Sequence, residues 1–471
     1  MGSVRCAYYN RFKPVCRVIC LRPTLKNVSK GCVFMKIAIM GAGSSVFCKN
    51  VIGDTLLTPA LCECEIALYD IDGARLTESA LIVEALNRKY NAGRARVEKY
   101  LGVENRRDAL RNADFVINTI QVGLYDPCTI LDFEIPKKYG LRQTIGDTLG
   151  IGGIFRGLRT IHVLRDFAAD MEAVCPDAWF LNYTNPMAIL SGYMQRYTGV
   201  KTVGLCHSVQ VVAKSCMQHL GMDYSEYGHS LVAGINHMSW LLEIYDKNGN
   251  DLYPEIRRRA KTINDTPHKD MVRMDYLNNF GYYVTESSEH NAEYNPFYIK
   301  SKFPERIERF QIPLDEYPRR CVRQIEKWNE RKEELLGGGD IEHKRSGEYA
   351  SYIMEAMVTD TPYKIGGNVQ NAGLIDNLPE NACVEVPCMV DGSGVSPTHV
   401  GALPLVLAAM NMTNINVQLL TIEAAVTQKK EAIYHAAMLD PHTAAELPID
   451  EIKAMCDELY NAHTEAGYPV F

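Results

Sequence analysis

The chain has 471 residues, of which 46% are hydrophobic and 23% charged, and its net charge is -7. That length supports two domains with their own cores, and the negative balance offers no basic excess for nucleic acid or an anionic membrane. No apolar run reaches the roughly 18–20 residues of a membrane helix, and 15 scattered cysteines in a chain this large read as reduced, buried thiols of a cytoplasmic protein.

Residues 1–34 are basic, Cys-bearing and aperiodic. Their short apolar stretch is interrupted by Cys16, Arg17 and Cys20, which breaks the continuity a signal peptide needs. Cys6 stands where myristoylation favours Ser or Thr. The segment reads as a disordered extension or a misassigned start, with Met35 as the working start. Residues 36–40 then form an apolar strand running into Gly41-Ala42-Gly43-Ser44-Ser45, a glycine turn that opens a helix. Residues 65–70 give a second strand ending in Asp70, 75–90 have helical spacing, and 115–120 give a third strand. Residues 179–182 and 202–206 are further strands, each entering a loop. Apolar strands alternating with helices predict a doubly wound parallel sheet. The reading is α/β, with a Rossmann-like domain over 35–207 and a mixed α+β domain over 208–471. A charged helix over 319–334 leads to a glycine hinge at 337–339. Helices follow over 406–436 and 449–465.

Gly41, Gly43 and Ser44 form a phosphate-binding turn in which small residues let the backbone approach a pyrophosphate at a helix N-terminus. The third glycine of the fingerprint is absent, since position 46 is Val. Asp70 supplies the missing specificity. A carboxylate there accepts ribose hydroxyls and repels a 2′-phosphate, which selects NAD over NADP. The bland alternative is a strand–turn–helix without ligand, ending in a surface aspartate. In the glycine loop 146–153, Asp147 faces a nicotinamide or a sugar hydroxyl, unless the loop is a plain crossover. Asn185, in Asn182-Tyr183-Thr184-Asn185-Pro186, ends a strand at the edge where open α/β sheets bind ligands. Its amide suits substrate hydroxyls, or else an Asx-turn. Cys206, in Cys206-His207, and His237, in Asn236-His237, give two metal ligands. Two are too few for a closed zinc site, but they suit an open one completed by substrate oxygens, as Mn²⁺ would favour. Taken singly, such residues are ordinary core positions.

Together these motifs resemble the family 4 glycoside hydrolases, the NAD- and manganese-dependent glycosidases. The resemblance runs from MetLysIleAlaIleMetGlyAlaGlySer through the glycine loop, AsnTyrThrAsnPro, CysHisSerVal, GlyIleAsnHis, GluHisAsnAlaGluTyr and AsnLeuProGluAsnAlaCysValGluValPro. CysHisSerVal is similar to the α-galactosidase branch. The resemblance implies a C-terminal domain of the lactate dehydrogenase type and cofactors NAD and Mn²⁺. It implies Gly41, Gly43 and Asp70 for the dinucleotide, Cys206 and His237 for the metal, and Asn185 for substrate. It implies a homodimer or homotetramer acting on an α-galactoside. The implied route is hydride removal from sugar C3, deprotonation at C2, elimination of the C1 aglycone, water addition and return of the hydride. His207 is then the acid, or a sugar-binding residue. The base lies in 280–290. The Asp of other branches falls near Ser287 or Ser288, so Tyr283 is the expected base, with Glu286 as the other candidate.

Three rival functions follow from the same residues. An α-galacturonidase or α-glucuronidase would share the chemistry and need an Arg near the substrate carboxylate. A 2-hydroxy-acid dehydrogenase would need an Asp–His pair and no metal, and would release NADH stoichiometrically. A non-catalytic NAD sensor would bind cofactor without turnover.

Overall fold

The computed structural model describes residues 35–336 and 341–471. The readings of residues 1–34 as an extension and of 337–339 as a hinge lie outside the described residues. One sheet of twelve strands organises the rest. Its parallel half comprises β1 (Met35–Met40), β2 (Cys64–Asp70), β3 (Arg96–Leu101), β4 (Phe115–Asn118), β5 (Trp179–Asn182) and β6 (Lys201–Gly204). Their spatial order is β3-β2-β1-β4-β5-β6, the doubly wound order in which the chain reverses direction between β1 and β4. Side-chain alternation accounts for the unbroken apolar run of β1. Ile37 and Ile39 pack into the core on one face, and Ala38 and Met40 into the core on the other. A strand covered on both sides has no polar face to show in its sequence.

The sheet continues past β6 with antiparallel strands: β7 (Tyr227–Ile235), β8 (Met238–Asp246), β9 (Tyr283–Val284), β10 (Tyr363–Gln370), β11 (Cys383–Asp391) and β12 (Gly394–Pro397). β10 joins β6 through the pair Asn368↔Gly204, and β11 joins β7 through Glu385↔Gly234. Both joints bring a buried polar side chain to the sheet's centre, close to the strand ends that carry the site. The parallel series ends at β6, and the helix His207–His219 follows it.

Two differences from the sequence reading have plain causes. β3 was missed because it is an edge strand of alternating charge, Arg-Val-Glu-Lys-Tyr-Leu, with no apolar run. The single helix read over 406–436 is two, Leu405–Thr427 and Lys430–Leu439, separated where Gln428 turns left-handed at φ +54°. Helix Leu405–Thr427 is long and apolar enough to cross a membrane by composition. Its buried face nevertheless carries Asn411, Asn414 and Gln418, and the two asparagines are spent on protein partners. Asn411 accepts from the Trp240 indole at 3.2 Å and donates to the Met238 carbonyl at 2.8 Å. Asn414 donates to the Tyr294 carbonyl at 3.3 Å. The helix thereby braces the β7–β8 hairpin and the segment around Tyr294.

Candidate metal centre and dinucleotide cleft

Gly41 leaves β1 at φ +89°, and a Cβ there would lie 2.8 Å from the Ile120 nitrogen and 2.9 Å from its Cα. Only glycine lets the β1 and β4 turns approach this closely. Gly43 donates its amide to Asp70 Oδ2 at 2.7 Å, and Asp70 Oδ1 accepts from Asp72 at 2.9 Å. Asp70 therefore fixes the turn and still keeps lone pairs for an incoming hydroxyl. Gly41, Gly43, exposed Ser44 and Asp70 line one cleft of about 700 Å³ with Ile71, Thr119 and Ile120. This opening at the β1/β4 switch point fits the adenosine and pyrophosphate of a dinucleotide.

The glycine loop reaches the site by a different device. Buried Glu293 accepts the amides of Thr144 at 2.7 Å and Gly146 at 2.8 Å. Burial pushes its carboxyl up to about 7, against the pull of those amides. The clamp presents the next residue, Asp147, which accepts from Thr148 at 2.7 Å and from the Asn185 amide at 3.2 Å. Two residues singled out separately in the sequence are thus hydrogen-bonded to each other. Burial alone would raise the Asp147 carboxyl, but Arg156, His290 and His237 outweigh it and hold it below its ordinary value.

Cys206, His237 and Glu286 converge, with one ligand atom from each lying within 4.8 Å of the others. Cys206 follows β6 and caps the helix His207–His219. Its amide donates to the Tyr349 hydroxyl at 2.7 Å. Burial and the charges of Glu385 and Glu286 raise its thiol well above the usual range. Only a cation placed among these groups would make the thiolate accessible near neutrality.

His237 occupies the second position of the two-residue β7–β8 turn, at φ +64°. Glu286 is also left-handed, at φ +61°. Two non-glycine residues of one cluster in this region hold strain of about 1–2 kcal/mol each. His237 Nδ1 lies 3.0 Å from the Tyr294 hydroxyl, which leaves Nε2 facing Glu286 Oε2 at 3.4 Å. Burial lowers the His237 pKa, which favours the neutral ring that a metal ligand needs. With Nε2 free to ligate, Nδ1–H donates to Tyr294.

His207, half exposed, pairs its Nε2 with Glu348 Oε1 at 2.8 Å, and this hydrogen bond raises the imidazole pKa. Tyr283 is engaged by other groups. It is fully buried on β9, its hydroxyl bonds to Asp270, and its ring lies under Arg273 at 4.7 Å. Burial, first, and Asp270 keep its phenol well above the ordinary value although Arg273 opposes them.

Glu348 and Tyr294 were not given roles in the sequence reading. Tyr294 lay within the quoted GluHisAsnAlaGluTyr motif, whereas Glu348 had no local signal. Glu286 was legible only as a candidate base.

Residues 36–222 match the model of the family 4 glycosyl hydrolases, and residues 232–443 match that family's C-terminal domain. The chain belongs to the family 4 glycosyl hydrolases. Among its relatives is an alpha-galactosidase of Bacillus subtilis, 60% identical over 428 residues, covering 91% of this chain and 98% of that one. The Bacillus subtilis lplD crystal structure has a TM-score of 0.81 at 24% identity, over 90% of this chain and 99% of that one. A 6-phospho-beta glucosidase from Thermotoga maritima, solved with manganese, NAD+ and glucose-6-phosphate, has a TM-score of 0.74 at 21% identity, over 92% and 99%. These two likenesses establish the family 4 fold, with its parallel half and antiparallel extension, for this chain.

Proposed function

We propose that this family 4 glycosyl hydrolase is an α-galactosidase that uses NAD and Mn²⁺. The observation that carries the reading is the convergence of Cys206, His237 and Glu286 beyond the β6 strand end, in a chain 60% identical to an alpha-galactosidase. A thiolate, an imidazole and a carboxylate form a donor set with room for substrate oxygens in the remaining positions. When bound, NAD would accept hydride from sugar C3, and the metal would stabilise negative charge on the sugar oxygens.

The chain's own residues supply alignment and proton transfer. Asn185 and Asp147, hydrogen-bonded to each other, hold sugar hydroxyls or the nicotinamide amide. His207, whose pKa the Glu348 hydrogen bond raises, donates a proton to the leaving oxygen. For the C2 proton there are two candidates: Glu286, whose carboxylate is part of the cluster and would serve either as a metal ligand or as the base, and Tyr283. Glu286 is held down to about 2, burial notwithstanding, chiefly by the neighbouring His237 and His290. Tyr283 would need its hydroxyl released from Asp270. Replacing each in turn, Tyr283→Phe and Glu286→Gln, assigns the role, since the base variant abolishes C2 proton exchange.

A cytoplasmic homodimer or homotetramer completes the reading. The described cysteines are all free and buried, as suits a reducing compartment. Sedimentation of the purified chain gives the assembly. The function is tested with a nitrophenyl α-galactoside after bound cofactor is stripped. Activity requires NAD⁺ and Mn²⁺ together and exceeds that on the α-galacturonide. Full activity without NAD⁺ overturns the proposal.

A further inference from the structure

The chain's last residues take part in the cleft at the β1/β4 switch point. Gly467, Tyr468 and Pro469 line it together with Gly41, Gly43 and Asp70. Helix Ile449–Glu465 ends on the far side of the protein in sequence, yet its C-terminal turn is pinned beside the nucleotide turn. Gly467, at φ +84°, reverses the chain. Its amide donates to the Thr464 carbonyl at 3.0 Å, and that of Tyr468 to the His463 carbonyl at 2.8 Å. Val470, 1% exposed, anchors the end in the core, and the Phe471 ring lies 6.0 Å from that of Tyr460.

A buried relay ties this tail to the cleft floor. His463 Nε2 lies 2.9 Å from Asp132 Oδ1, and Asp132 receives Arg159 at 3.1 and 2.7 Å. Arg159 in turn donates to the Val122 carbonyl at 3.1 Å. Arg159 and Val122 both line the same cleft. Asn185, Asp147 and the three cluster residues do not belong to that lining. The cleft is therefore the end of the dinucleotide site away from the reacting atoms, where adenosine would lie.

We propose that residues 467–469 form the outer wall of the dinucleotide site, with the half-buried Tyr468 ring packing against the adenosine. An aromatic ring held on a pinned turn offers a face to any base at little entropic cost. The inference rests on the cleft being the dinucleotide site, and ADP-ribose, which lacks the nicotinamide, is the probe that isolates it. Calorimetric titration of ADP-ribose into the nucleotide-free full chain should show Tyr468→Ala binding at least about fivefold more weakly than wild type, as loss of one base–aromatic stack implies. Tyr468→Phe, which keeps the ring, should restore the affinity. The melting temperature of the ligand-free Tyr468→Ala chain should stay at the wild-type value, which separates loss of contact from loss of structure. An ADP-ribose affinity within about twofold of wild type in Tyr468→Ala overturns the proposal. Should that variant fail to fold, hydrogen exchange of the wild-type tail decides. Slowing at residues 466–471 on ADP-ribose addition supports the wall, and unchanged exchange overturns it. Wild type that binds neither ADP-ribose nor NAD⁺ overturns the dinucleotide reading and this inference with it, whereas a wild type that binds both beside an unaffected variant removes only the tail's role.

Discussion

Gly41→Ala is the substitution whose cost the structure fixes most tightly. An alanine at φ +89° loses roughly 1 kcal/mol to the left-handed backbone. Its Cβ would also sit 2.8–2.9 Å from Ile120 N, Ile120 Cα and Thr119 C. These are backbone atoms that cannot rotate away, so the overlap should add about 1–3 kcal/mol. The total is about 2–4 kcal/mol of lost stability. Gly93 provides the control, because it has φ +72° and nothing within 4 Å of the added carbon. Gly93→Ala should lose only the conformational share, about 1 kcal/mol. Urea unfolding of both variants reads the difference, which is the overlap alone. NAD⁺ affinity should fall in Gly41→Ala and hold in Gly93→Ala, since only the first displaces the turn. Equal destabilisation of the two variants, or wild-type NAD⁺ binding by Gly41→Ala, would refute the close approach of the β1 and β4 turns.

Asp132→Asn should destabilise the chain by about 3–5 kcal/mol by leaving Arg159 buried without its counter-charge. Burial raises the Asp132 carboxyl, but Arg159 and His463 outweigh it and the folded value lies below the ordinary one. Its contribution is therefore present above the unfolded value near about 3.9 and lost as pH falls through the lower folded value, so unfolding curves of the two forms should converge in acid. Glu348→Gln should lower the His207 titration midpoint, read by the imidazole proton resonances, because the hydrogen bond that raises it is weakened. The same pairing favours the folded state below the unfolded histidine value and is lost as pH rises through the folded one. Cys206→Ser should weaken Mn²⁺ binding by at least about 100-fold in calorimetry, while leaving ADP-ribose affinity intact.

The parallel half was legible because its strands are buried on both faces and so carry unbroken apolar runs, as β1 shows through Ile37 to Met40. β3 was invisible because an edge strand tolerates Arg96, Glu98 and Lys99. Of the site, Cys206 and His237 could be singled out from 15 cysteines and 12 histidines only because their motifs are specific. Glu286 could not be given its place, since a carboxylate in a polar loop has no periodicity and its left-handed backbone leaves no mark on the sequence. The Glu348–His207 pair joins residues 141 positions apart, and Tyr468 meets Asp70 in one cleft only after the whole chain has folded between them. Tyr283 illustrates the converse. Its place in the segment was legible, whereas the hydrogen bond from its hydroxyl to Asp270 was not.

The central claim is that the glycosidic bond breaks after a proton leaves C2 of the sugar. Hydrolysis of a nitrophenyl α-galactoside in D₂O, with NAD⁺ and Mn²⁺ present, should release galactose carrying deuterium at C2. Galactose formed at the full rate with only hydrogen at C2 would contradict it.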